Sequence, residues 1–195
     1  DKSISIRWVL FSSMANGMST AHNLLISDDV LAALNAVNKL GIKTKITKKD
    51  CTIYGKGIDG FNYKKNLTIN AQNSGTLGRL LPGLLLNAPY PIKIIGDKSL
   101  SKRDFKRITD PLSKFGANFK LANNKNLPLK VYGCSNIKAI KYLENRGSAQ
   151  CKSAVIFGAM KSEGVTLIKA KRSRNHTELL CKYLKLPIVI KKQNN

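Results

Sequence analysis

Apolar positions along this 195-residue chain fall into two kinds of helical pattern, separated by short runs of strand-like alternation. The first kind is apolar on nearly every side. It covers residues 2–16 (KSISIRWVLFSSMAN), a stretch beginning near Ser74 (SGTLGRLLPGLLL) and residues 148–160 (SAQCKSAVIFGAM). Helices of this kind are expected to be buried all round. The second kind carries one apolar stripe. It covers residues 28–40, opened by Asp28 and Asp29, residues 104–115, with Phe105, Ile108, Leu112 and Phe115 on one face, and residues 177–186. Acidic residues in a first turn suit the positive end of the helix dipole. Between the helices, alternation predicts strands at 19–25, 42–46, 51–54, 67–70, 92–95, 118–121, 129–132, 137–142, 165–170 and 188–191.

The order of these elements recurs. The junctions Leu40-Gly41-Ile42, Phe115-Gly116-Ala117 and Leu186-Pro187-Ile188 lie 75 and 71 residues apart (116 − 41 and 187 − 116). The serines near the starts of the apolar helices, Ser3, Ser74 and Ser148, lie 71 and 74 apart. One period of internal similarity signals a fold built from repeated supersecondary units. Each unit reads βαβαββ, and the expectation is a single α/β (α+β) domain over 1–195 with repeats 1–65, 66–135 and 136–195. Three buried helices surrounded by sheets would bring three helix N-termini to one end. Pro82, inside the second of them, should remove a backbone hydrogen bond and kink the helix.

Composition narrows the class of function. A hydrophobic content of 43% fits a globular chain, and no apolar run approaches the ~20 residues of a membrane span. The opening DKSISIRW has no signal-peptide character. Cys51, Cys134, Cys151 and Cys181 are far apart, with no CxxC pair and no histidine at ligand spacing. They read as reduced structural thiols of a cytoplasmic protein, and no metal or cofactor is expected. Charge is lopsided, with 34 basic residues against 11 acidic and a net charge of +23. Such an excess points to polyanions, small anionic ligands or a lysine-rich surface. Lysines are scattered singly, as in Ile42–Lys49 (IKTKITKK), and aromatics make up only 7%. No basic arm or base-stacking surface emerges, so no specific nucleic acid is expected.

Candidate chemistry gathers at the starts of the apolar helices. Asn73–Leu81 (NSGTLGRLL) sets a capping residue, two glycines and Arg79 in the first turns of a helix. Arg79 is the only charge between Lys65 and Lys93. Free N–H groups and the dipole at such a start favour an anion. Lys2, Ser3 and Arg7 open the first helix, and Ser148 and Gln150 open the third. Arginine can grip phosphate or carboxylate bidentately, and lysine serves as a point charge. Three ordinary caps with exposed basic residues fit the same pattern. No carboxylate pair falls in the cluster, and His22 and His176 have no evident partners, so both read as structural. A catalytic triad has no support. The stretch binds anions without supplying an acid or base.

The segments DKSISIR, NSGTLGR, GDKSLSKR, GSAQCKSA and SRNHTE, in that order, resemble the 5-enolpyruvylshikimate-3-phosphate synthase (3-phosphoshikimate 1-carboxyvinyltransferase) family over essentially the whole chain. The resemblance implies an inside-out α/β barrel, with buried helices surrounded by mixed four-stranded sheets. It also implies transfer of the enolpyruvyl group of phosphoenolpyruvate to the 5-hydroxyl of shikimate-3-phosphate, a step of the shikimate pathway of aromatic amino acid biosynthesis in bacteria. Carried over by residue, Lys2 would touch both substrates, and Ser3 and Arg7 would hold shikimate-3-phosphate. Ser148, Ala149, Gln150, Ser173 and Arg174 would line the same site. Ala149 replaces a serine of some members, leaving only its backbone to donate. Asn73, Gly75, Arg103 and Gln150 would serve phosphoenolpyruvate, with Arg79 in support. Gly75 leaves room for glyphosate, the herbicide that mimics phosphoenolpyruvate.

Members of that family are about twice as long and fold as two domains. The expectation is therefore an N-terminal substrate domain, whose partner is the C-terminal domain carrying the proton-handling groups. Alone, it would bind shikimate-3-phosphate weakly and turn nothing over, with no catalytic residue of its own. Two other readings are a domain of the related transferase acting on UDP-N-acetylglucosamine and a basic nucleic-acid-binding module.

Overall fold

A computed structural model describes residues 1–48 and 50–191, and among these the elements follow the repeated order. The first unit comprises α1 (Lys2–Met14), β1 (Asn16–His22), α2 (Asp28–Lys39), β2 (Lys43–Ile46) and β3 (Asp50–Lys56). The second has β4 (Thr68–Asn70), α3 (Gly75–Leu84), β5 (Ile92–Ile95), α4 (Lys98–Ser101), α5 (Lys106–Ser113), β6 (Asn118–Ala122) and β7 (Asn126–Tyr132). The third has β8 (Lys141–Glu144), α6 (Ala149–Ala159), β9 (Leu167–Ala170) and α7 (His176–Tyr183).

The second unit forms a mixed four-stranded sheet ordered β4-β5-β7-β6, parallel only between β4 and β5. The first forms β1-β3-β2, fully antiparallel, which repeats the β5-β7-β6 portion. The third pairs β8 with β9 in parallel, repeating β4-β5. One pairing scheme thus appears whole once and in two complementary parts.

Several expected boundaries move. The strand expected at 19–25 runs over Asn16–His22, because Ala15 already leaves the helical conformation. The helix expected at 104–115 is α5, shorter at both ends, with Asp104 accepting from the amide of Lys106 at its start; the short α4 before it was not expected. The strand expected at 137–142 begins at Lys141, preceded by an isolated bridge between Lys138 and Glu163. The strand expected at 188–191 is not formed: these residues are irregular, since an alternating segment needs a hydrogen-bonded neighbour to become a strand. The end of the third repeat, 192–195, lies outside the described residues.

The junction alignment needs one correction. Gly41, at φ +81°, ends α2, with the Ile42 amide reaching the Val37 carbonyl (3.0 Å) and the Gly41 amide that of Asn38 (2.9 Å). α7 ends in the same left-handed cap, Leu186 to Cys181 (2.9 Å) and Lys185 to Lys182 (3.0 Å). There Lys185, at φ +54°, occupies the glycine position, and Pro187 lies beyond it.

α1, α3 and α6 form the core, with Ile6, Leu10, Leu77, Leu80, Leu84, Val155 and Phe157 fully buried. Phe11 and Phe157 meet at 4.8 Å between ring centroids. α3 crosses α6 at Gly83, where an added Cβ would lie 2.4 Å from the Ala154 carbonyl oxygen. Pro82 sits near the end of α3, and the helix closes two residues later with the Leu85 amide on the Pro82 carbonyl (3.2 Å). Beyond the end of α6, Lys161 donates to the Ile58 carbonyl (2.6 Å) and lies 5.4 Å from the Phe61 ring centroid. All four cysteines are free thiols; Cys51, Cys151 and Cys181 are buried. Of the buried polar side chains, Ser5, Arg7, Ser74, Lys152 and Ser153 lie near the helix starts, whereas Ser12 and Ser13 lie in the last turn of α1.

Candidate functional site

The three helix starts are capped alike, but not by the three serines expected. Ser74 Oγ accepts from the Leu77 amide (3.2 Å) and Ser148 Oγ from that of Cys151 (3.3 Å). In α1 the cap is Asp1, whose carboxylate accepts from the Ile4 amide (2.9 Å). Ser3 is displaced from capping because it lies inside the first turn. There its carbonyl accepts from Arg7 Nη1 (3.0 Å), and its hydroxyl bonds the same nitrogen.

One arginine group joins the starts of α3 and α6. Arg79 Nη1 donates to Gln150 Oε1, and Gln150 Nε2 donates to Thr76 Oγ1 (3.3 Å), which fixes the amide's orientation. The Arg79 guanidinium lies 5.7 Å from the Phe105 ring centroid, and its Nε is buried without a partner among the described residues. Arg103 Nη1 stands 2.9 Å from where a Cβ on Gly75 would be, so a side chain there would displace the guanidinium from its present position. Burial, then the charges of Arg107 and Arg103, lower the Arg79 pKa. Arg107 Nη2 donates to Ser148 Oγ (2.7 Å) and its Nε contacts Cys151 Sγ (3.4 Å); the Cys151 contact raises the Arg107 pKa. Asn73 turns away from the arginines and donates to Asp97 (2.6 Å). That carboxylate also caps α4 through the Leu100 amide (2.7 Å), and the two bonds hold its pKa down.

The second group joins α1, α6 and α7 around Arg7, which is 2% exposed. Its Nε donates to Thr177 Oγ1 (2.7 Å) and its Nη2 to Ser153 Oγ (3.0 Å). Ser153 in turn donates to the Ala149 carbonyl (2.7 Å), which leaves the Thr177 hydroxyl to donate to Ser153 (2.7 Å). Burial holds the Arg7 pKa down to about 10, against the pull of Glu178 and with a further push from Arg174. Glu178 pairs with Lys152 at 2.5 Å. Ser173 Oγ, His176 Nδ1 and Glu178 Oε2 are buried without hydrogen-bond partners among the described residues. Four of the five unpartnered buried polar atoms found there, counting Arg79 Nε, thus belong to these two groups.

Most of the expected residues come together: Ser3, Arg7, Gly75, Arg79, Arg103, Ser148, Ala149 and Gln150 ring the starts of α1, α3 and α6. Ser173 and Arg174 approach from the loop before α7, with Arg174 exposed. Lys2 leans outward to Asp29 (2.6 Å), which lines a shallow groove with Asp28, Gln72, Asn73 and Asp97. Carboxylates therefore do come near the cluster, Asp29 paired with Lys2 and Asp97 bonded to Asn73. His22 has a partner after all, Asp50 at 2.7 Å across β1 and β3.

The sequence reading missed Arg107, Ser153, Thr177 and Asp29. Polar residues at 152 and 153 within an apolar helix were a legible sign of internal partners. Arg107, four residues after Arg103, was another.

Two arginine-centred groups thus stand at one end of the buried helices of an α/β repeat fold. The model of the family EPSP synthase (3-phosphoshikimate 1-carboxyvinyltransferase) matches residues 1–195. A 3-phosphoshikimate 1-carboxyvinyltransferase of Bacillus cytotoxicus is 42% identical over 180 residues, covering 91% of this chain and 42% of the relative. One from Caldicellulosiruptor bescii is 41% identical over 185 residues, covering 94% and 42%. The EPSP synthase structure from Acinetobacter baumannii superposes with a TM-score of 0.91 at 31% identity, over 100% of this chain and 44% of that one. The chain belongs to the EPSP synthase family, and it spans about two fifths of the length of the curated relatives it matches.

Proposed function

We propose that this chain is the substrate-binding part of a 3-phosphoshikimate 1-carboxyvinyltransferase. Shikimate-3-phosphate lies between α1, α6 and α7, against Lys2, Ser3, Arg7, Ser148, Ala149, Gln150, Ser173 and Arg174. Phosphoenolpyruvate lies at the start of α3, against Lys2, Gly75, Arg103 and Gln150, with Asn73 shaping the loop and Arg79 in support. The observation that carries the reading is the set of buried, unpartnered polar atoms around these helix starts. Buried groups of this kind seek partners, and an anionic ligand can supply acceptors for Ser173 Oγ and Arg79 Nε.

In the reaction, the 5-hydroxyl gives up its proton to a base as its oxygen attacks C2 of phosphoenolpyruvate, and C3 of phosphoenolpyruvate takes up a proton from an acid. The tetrahedral intermediate then loses a proton from C3 and expels phosphate. The residues of this chain position both ligands and hold negative charge in a preorganised field. Proton transfer falls to polypeptide outside these 195 residues, consistent with the greater length of the relatives, and closure of the two parts excludes water. The pathway places the protein in the cytoplasm. Among the described residues, no helix is long and apolar enough to cross a membrane.

The test is calorimetric titration of the chain with shikimate-3-phosphate, UDP-N-acetylglucosamine and inorganic phosphate. Saturable binding of the first, without turnover, is expected. Preference for the UDP-sugar, or steady phosphate release from both substrates by this chain alone, overturns the reading.

A further inference from the structure

Ser148 has an unusual hydrogen-bond account. A serine hydroxyl has one proton and two acceptor positions. Ser148 Oγ accepts from Arg107 Nη2 (2.7 Å) and from the Cys151 amide (3.3 Å), so both acceptor positions are taken. Its proton has no acceptor among the described residues. Ser153, one turn further along α6, differs in that its own proton goes to the Ala149 carbonyl. The residue is fixed from two sides, because its amide donates to Glu144 Oε2 (2.8 Å), a carboxylate 2% exposed that also holds the Arg146 amide (3.1 Å). Ser148 cannot rotate to accept from a ligand without giving up Arg107 or its cap.

We infer that Arg107 is a positioning residue that makes Ser148 an obligate donor, and so directs the start of α6 to the phosphate of the ligand in preference to a neutral hydroxyl. The inference rests on the shikimate-3-phosphate reading above. A donor with no acceptor role is best matched by an oxygen with no proton, and bonds to charged acceptors are about twice as strong as neutral ones. The amides of a helix start add to the same preference. Arg107 supports the contact from behind, and its own guanidinium is occupied by Ser148 and Cys151.

The test compares shikimate-3-phosphate with shikimate, which differ only in the phosphate, by calorimetry on the unmodified protein, Arg107→Met, Arg107→Lys, Ser148→Ala and the double variant Arg107→Met/Ser148→Ala. Arg107→Met is expected to weaken shikimate-3-phosphate about tenfold or more and shikimate by less than about twofold. Arg107→Lys, which keeps a donor, recovers most of the loss. In the Ser148→Ala background, Arg107→Met adds little. Equal losses for both ligands, or full additivity with Ser148→Ala, overturn the inference, because Arg107 then acts through its charge or the fold alone. Should Arg107→Met unfold, the cycle of Arg107→Lys with Ser148→Ala decides by the same criterion of additivity. No binding of shikimate-3-phosphate by the unmodified protein overturns the functional reading, and this inference with it.

Discussion

Arg7→Met separates a structural role for the buried guanidinium from a ligand-binding one. Of the five N–H groups of Arg7, four are engaged: Nε with Thr177, both Nη1 protons with Ser3, and one Nη2 proton with Ser153. One Nη2 proton remains for a ligand. Removing the side chain forfeits bonds to three residues, at about 1 kcal/mol each, or about 3 kcal/mol. Against this stands the burial of the charge. The pKa of Arg7 is held down to about 10, well below the ordinary guanidinium value, which corresponds to roughly 3 kcal/mol against the charged form. The folded pKa lies below the unfolded one, so stability rises with pH only from about 10 up to the ordinary guanidinium value; at neutral pH the charged form carries the whole penalty. The two terms nearly cancel. Methionine fills similar volume, and Ser153 and Thr177 still bond each other. Thermal melts of Arg7→Met should therefore shift by no more than about 5 °C in either direction. Affinity for shikimate-3-phosphate should fall by about 10- to 100-fold, the worth of a charge-assisted contact. A melt lowered by more than about 10 °C would refute the cancellation and make Arg7 a structural pin. An intact affinity would remove it from the ligand site.

Two further outcomes follow from other parts of the fold. Gly83→Ala sets a methyl 2.4 Å from the Ala154 carbonyl and 3.2 Å from Phe157 Cβ; backbone cannot yield as a flexible side chain does. The variant should lose about 2–3 kcal/mol in urea unfolding, and a loss under about 0.5 kcal/mol contradicts the close helix crossing. His176 has its pKa lowered by burial, Arg7 and Arg174. The unfolded state then takes up its proton first as pH falls, so His176 destabilises the protein progressively below the ordinary histidine pKa of 6.5 and is neutral above it. Melts of His176→Asn should lose less stability than the unmodified protein between pH 7 and 5, and parallel curves would show that the shift is absent.

The repeat and its buried helices were legible because periods of 3.6 and 2 are local properties, and α1, α3 and α6 announced themselves by lacking a polar face. What escaped depends on distance. Arg7 meets Thr177 across 170 positions, and no spacing rule connects them. Arg79 and Gln150 form a pair only because two repeats bring their helix starts together. The Asp1 cap escaped for a different reason: aspartate and serine cap about equally well, so residue type did not decide between Asp1 and Ser3, and Asp1 stood where the chain enters the helix. Lys185 took the left-handed position from side-chain-independent backbone closure, where a glycine signal was sought. Residues 188–191 alternate as a strand should, but a strand is a property of two chains.

Lys2, which the proposed reading assigns to both ligands, leans outward and already holds Asp29 at 2.6 Å. Filling the site is therefore an exchange of anions and not a capture. A tethered carboxylate acts at the effective concentration its tether sets, on the order of millimolar or above. Chloride or a lone phosphate, with one contact to offer, competes poorly against it. A ligand that engages several helix starts at once outcompetes it. On that reading the ion pair works as a threshold: in a chain of net charge +23, it keeps Lys2 from being occupied by whatever small anion is most abundant.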